Sequence, residues 1–128
     1  MTTQIIENFI SSYLETAKWC DIDSDVDNKG FTQHTKELTA VDCKEFINRL
    51  KDSFTPTEIE AIIGYQGQDL GSLAGHDFWL TRNHHGAGFF DKEVYDTLAV
   101  NGCSRLTKVA QSFPSCNVIV NRKWLFIE

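Results

Sequence analysis

At 128 residues the chain is sized for a single domain over residues 1–128, long enough to bury roughly 65–70% of its unfolded surface without metals or disulfides. Its 41% apolar and 23% charged content is ordinary for a soluble globular protein, and no uncharged apolar run approaches the ~20 residues of a membrane span. The net charge of −6 is lopsided: residues 1–60 hold twelve Asp/Glu against six Lys/Arg, and residues 61–128 hold six of each. This argues against direct nucleic-acid binding, which needs clustered Lys/Arg. It leaves room for a basic protein partner, such as the nucleic-acid groove of another protein.

The start, MTTQIIENF, has no basic residue before Lys18 and carries Glu7. It resembles neither a secretory signal nor a transit peptide, so a cytoplasmic location is expected. Cysteines 20, 43, 103 and 116 form no C-x-x-C pair. Reduced, packed thiols are expected, the alternative being a mixed Cys/His zinc site drawn from distant elements.

In chain order, Ile5, Ile6, Phe9, Ile10, Tyr13, Leu14 and Ala17 recur at helical spacing and predict a helix over residues 3–19, with Ser12 among the residues on its solvent side. Residues 20–38 read as an exposed loop carrying Asp21, Asp23, Asp25 and Asp27. No frame of it satisfies an EF-hand: counted from Asp21, Val26 stands where glycine is needed, and counted from Asp25, Lys36 stands where glutamate is needed. An acidic contact patch is the better reading. Thr39 is expected to cap a second helix running past Cys43, Phe46, Ile47 and Leu50. Thr55-Pro56-Thr57-Glu58 reads as a capping box opening a third helix that Gly64 ends.

Residues 76–83 alternate between Phe78/Leu80 and Asp77/Trp79/Thr81, which predicts a strand. Residues 87–90 would return as its antiparallel partner, Leu80 facing Phe89. Asp91 is expected to cap a weak helical turn through Val94, Tyr95 and Leu98. A further helix spans residues 104–113 before Pro114, and a last hairpin pairs residues 116–120 with 124–127. The expected fold is α+β: N-terminal helices packed on an antiparallel sheet of about four strands made of two hairpins, in the order α-α-α-β-β-α-β-β.

The densest stretch is residues 75–91, GHDFWLTRNHHGAGFFD, with three of the four histidines. A histidine oriented by an aspartate can serve as a general base or metal ligand. Asp77, Asp91 and Arg82 could equally hold the backbone together. No H-E-x-x-H, P-loop, G-x-S-x-G or deaminase signature is present, and no cofactor is expected. This stretch resembles the signature of a family of small bacteriophage proteins, G-H-D-F-W-L-T-R-N-G-H-G-A-G-F-W-D. Residues 75–83, 85–89 and Asp91 match it, while His84 replaces a glycine and Phe90 a tryptophan. The resemblance implies a phage protein in the cytoplasm of an infected bacterial host; the family has no settled activity to carry over. Because the pattern has glycine at position 84, His76, Asp77 and His85 become the catalytic candidates, and Arg82 and Asn83 join the four aspartates as binding candidates.

Two functions follow as expectations. One is a small acidic accessory protein that binds and modulates a host bacterial protein, without direct nucleic-acid or membrane contact. The other is a small hydrolase or metal-dependent enzyme using His76, Asp77 and His85.

Overall fold

The computed structural model describes residues 1–20, 29–68 and 71–128. Helix α1 (Thr3–Cys20) forms where the apolar stripe places it and buries Phe9, Tyr13 and Ala17. After the short strand β1 (Gly30–Phe31), helix α2 (Gln33–Leu50) begins six residues before Thr39. Its cap is Thr32, whose hydroxyl accepts the Thr35 amide at 3.2 Å; Thr39 is a buried residue inside the helix. The polar run after Thr32 is therefore helix and not loop, with Gln33, His34, Lys36 and Glu37 exposed and Thr35 buried. Helix α3 (Pro56–Gly64) carries the expected capping box, Thr55 Oγ1 accepting from the Glu58 amide at 3.2 Å and Glu58 Oε1 accepting from the Thr55 amide at 2.9 Å.

A two-stranded ribbon, β2 (Gln66–Gly67) with β3 (Gly71–Ser72), leads into helix α4 (Leu73–Arg82). The expected strand over residues 76–83 is thus a helix, and the expected first hairpin does not form. Ser72 caps α4, its hydroxyl accepting the Gly75 amide at 3.2 Å. Residues 84–88 are a turn, and residues 89–91 make one turn of 3-10 helix. Leu80 and Phe89 are both buried, but no strand pairing joins them. Helices α5 (Val94–Leu98) and α6 (Gly102–Gln111) follow. The C-terminal hairpin does form, from β4 (Val118–Asn121) and β5 (Trp124–Ile127). Asp91 does not cap α5; its carboxylate accepts the Gly88 amide at 3.1 Å and closes the preceding turn.

The four-stranded antiparallel sheet is therefore replaced by a mainly helical fold: six α-helices among the described residues and two small sheets, β1-β5-β4 and β2-β3. β5 is central in the larger, parallel to β1 and antiparallel to β4. The reason lies in α4. It packs on α1, α3, α6 and the turn at residues 89–91, and of its ten residues only His76 is not buried. A helix buried on every side needs no polar face, so its sequence loses the 3.6-residue period that marks a surface helix. Its aromatics hold the core together: Phe78 stacks on Phe46 at 4.2 Å between centroids, and Trp79 meets Tyr13 edge-on at 5.3 Å. Phe89 lies against Phe46 at 5.8 Å.

Candidate functional site

The polar residues of the 75–91 stretch extend from α4 in several directions, and most of them are committed to holding the fold. Asp77 is fully buried and accepts from Lys92 Nζ at 2.5 Å and from the Tyr95 hydroxyl at 2.6 Å. This ties α4 to the chain around α5. Burial raises the Asp77 carboxyl above its ordinary range against the opposing effect of the Lys92 and Tyr95 hydrogen bonds. Burial, with the neighbouring carboxylate, lifts the Tyr95 phenol far above its usual value.

At the other end of α4, Arg82 donates to Asp42 Oδ2 at 2.7 Å, to the Tyr13 hydroxyl at 3.1 Å and to the Pro114 carbonyl at 2.8 Å. It links α1, α2 and the chain after α6. Asn83 donates to the Trp79 carbonyl at 3.1 Å and accepts the Cys116 amide at 2.7 Å. Thr81 Oγ1 accepts the Phe89 amide at 3.0 Å. His84 has φ +58°, in the left-handed region that glycine occupies without penalty.

His76 and His85 are different. Both line a cleft of about 660 Å³ between α1, α4 and the turn after it, together with Ser12, Glu15, Thr16 and Trp19. This size lies within the roughly 300–1,000 Å³ typical of small-molecule sites. Thr16 donates its single hydroxyl proton to the Ser12 carbonyl at 2.7 Å. Its oxygen also lies 2.8 Å from His76 Nδ1, within hydrogen-bond reach, which fixes the orientation of the ring. Burial lowers the His76 pKa from its ordinary 6.5, outweighing the carboxylate of Asp77. The ring is thus oriented by Thr16 and pushed by burial toward its neutral form.

An NMR titration of the His76 ring is expected to give a midpoint below the ordinary 6.5. A folded-state pKa depressed in this way contributes stability above the unfolded value that is lost as the pH falls through the folded one. A midpoint at or above that of a free histidine would contradict the geometry.

The structure thus brings His76 and His85 to one cleft but leaves Asp77 out of it. Asp77 makes no hydrogen bond to His76 and does not line the cleft. Arg82 and Asn83, expected as binding residues, are internal ties. Asp21, Asp23, Asp25 and Asp27 lie outside the described residues. No three His, Cys, Asp or Glu among the described residues are grouped to hold a metal ion, and the four cysteines form no disulfide. No helix of the described residues is long and apolar enough to cross a membrane.

Sequence reasoning missed the wall that α1 contributes. Ser12, assigned to the solvent side, is buried, and its hydroxyl accepts the Ser72 amide at 2.9 Å. The available signal was Ser12 and Thr16, small polar residues four apart beside Phe9 and Tyr13, a spacing that marks a close polar helix crossing.

Fold and cleft together define a mainly helical domain built around one buried helix, α4, with a histidine-lined cleft at the α1–α4 crossing. No family model matches the chain, and neither a curated protein nor a solved structure is significantly similar to it.

Proposed function

We propose that this is a small acidic bacteriophage accessory protein that binds and modulates a host bacterial protein in the cytoplasm of the infected cell, in an anti-defence or host-takeover role. One observation carries the reading: the charged residues of the signature are spent on internal bonds, whereas Trp19, at the end of α1, is 76% exposed at the rim of the cleft. It is followed in sequence by four aspartates at alternate positions. An aromatic anchor beside a run of acids suits a basic protein surface, the ring supplying contact area and the charges steering encounter. A defence or nucleic-acid-handling complex with a basic groove is the kind of partner this fits. The signature resemblance supports the phage setting.

Capture from bacterial lysate tests the reading. The wild-type chain is expected to retain a partner at low salt and release it as salt rises. Charge reversal at Asp21, Asp23, Asp25 and Asp27, or Trp19→Ala, is expected to reduce retention at least about tenfold, a loss of about 1.4 kcal/mol. Capture of nothing, or capture indifferent to both changes, defeats the proposal.

The second reading is a small hydrolase or metal-dependent enzyme at the cleft. It is favoured by His76, whose ring is oriented by Thr16 and lines the cleft, as a general base requires. It has to work with His76 and His85 and without Asp77.

A further inference from the structure

The outer strand of the larger sheet raises a question that the cleft does not touch. Asn117 donates its amide to the Glu128 carbonyl at 2.7 Å, and Glu128 returns the bond at 2.9 Å. With the register Val118↔Ile127, Ile119↔Phe126, Val120↔Leu125 and Asn121↔Trp124, the hydrogen-bonded pairs of the hairpin are those of residues 117, 119 and 121. The amides and carbonyls of Val118 and Val120 therefore point away from β5, and among the described residues β4 is the end strand of its sheet. Edge strands are ordinarily guarded by charge, proline or a bulge. This one reads Val-Ile-Val-Asn and has none of these, with Ile119 40% and Val120 44% exposed.

We propose that the free edge of β4 pairs antiparallel with the same strand of a second copy of this chain, about a two-fold axis at Ile119. The register follows from the outward-facing groups. Val118 of each copy lies opposite Val120 of the other, and their amides and carbonyls form four mutual hydrogen bonds. Ile119 meets its own counterpart as a close non-hydrogen-bonded pair. On the outer face this makes one apolar row, Phe126 and Ile119 of one copy followed by Ile119 and Phe126 of the other. Charge agrees with the arrangement: antiparallel pairing sets the Arg122-Lys123 turn of each copy toward the end of the sheet where the other carries Glu128. The pairing would join two three-stranded sheets into one of six, and a two-fold interface uses the same patch twice.

Sedimentation velocity and light scattering on the full chain test this. The wild type is expected to move from chain mass to twice chain mass as concentration rises. Val120→Pro removes the outward amide without touching a bond inside the hairpin, and is expected to weaken self-association at least about tenfold, or 1.4 kcal/mol. Ile119→Lys, which sets two like charges together at the axis, is expected to abolish it while leaving the circular dichroism unchanged; it decides the matter should the proline variant misfold. A wild type that stays at chain mass at every concentration overturns the proposal, and so does a dimer that ignores both substitutions.

Discussion

Asp77→Ala is expected to lower the free energy of unfolding by about 2–3 kcal/mol, below the range for breaking a fully buried charge pair because Lys92 is 26% exposed. The carboxylate is fully buried, and it is the partner of both Lys92 Nζ and the Tyr95 hydroxyl, at 2.5 and 2.6 Å. Truncation leaves the buried Tyr95 hydroxyl without its acceptor and Lys92, 26% exposed, with only the Gly88 carbonyl at 3.3 Å and Asp91 at 3.6 Å, and it unties α4 from the chain leading into α5. A double variant, Asp77→Ala with Lys92→Met, is expected to recover part of the loss, the part that comes from leaving the Lys92 ammonium without its shortest partner. Urea unfolding measures this as a fall in midpoint at constant slope. A loss below about 1 kcal/mol would show that the pair is not shielded as the structure has it.

The pH dependence of the same group has a definite sign. Burial raises the Asp77 pKa above its ordinary 3.8, so the unfolded chain releases this proton at a lower pH than the folded one. The contribution of Asp77 is then full below its unfolded pKa and declines as the pH rises through the folded value. Asp77→Asn removes that decline, so the stability difference between wild type and this variant should shift against the wild type as pH rises through that window.

Gly75→Ala is the second large effect, a loss of about 3 kcal/mol from overpacking. A Cβ at Gly75 would run into the backbone carbonyl oxygen of Phe9 and approach Ser12 Cβ at 3.1 Å. The obstruction is the backbone of α1 and cannot rotate aside, so the two helices would have to separate. That would disturb the Ser12–Ser72 contact and the Thr16–His76 hydrogen bond, both at the same crossing. His76 should accordingly lose its depressed titration along with the stability. Gly64→Ala is the contrast. Its Cβ would meet only Ile5 Cδ1, at an ordinary 3.8 Å, and replacing a helical glycine there should be neutral or stabilising by up to about 1 kcal/mol. Equal losses at the two glycines would refute the close crossing.

Where the chain has one wet face or an explicit terminus, the sequence was legible. The stripe from Ile5 to Ala17 located α1 because one side of that helix meets solvent, and Thr55-Pro56-Thr57-Glu58 located the start of α3 because its hydrogen bonds are local. The strand expected over residues 76–83 failed for the opposite reason. With nearly every side chain of α4 buried, the placement of apolar and polar residues follows the partners around the helix and not a water-facing side. Phe78 and Leu80 alternating with Asp77, Trp79 and Thr81 imitate a pleated strand by coincidence. Ser72, which caps α4 in the structure, is the one local sign of a helix, and the alternation of residues 76–83 does not reveal it. The late cap at Thr39 failed similarly, since the polar first turns of α2 offered no apolar period to count.

The candidate site divides along the same line. From residue types alone, the 75–91 stretch is dense with groups able to do chemistry, with His76, Asp77 and His85 as catalytic candidates and Arg82 and Asn83 as binding candidates. Sequence by itself determined which residues are exceptional, the acidic bias of the first sixty positions and the local capping of α3. Only the tertiary structure decided the role of each exceptional residue, because a helix spaces successive side chains about 100° apart. Adjacent in sequence, His76 and Asp77 therefore meet different neighbours: the Thr16 hydroxyl and the cleft for one, Lys92 and Tyr95 for the other. Spacing along a chain fixes those angles, but what stands at each of them is set by elements far away in sequence.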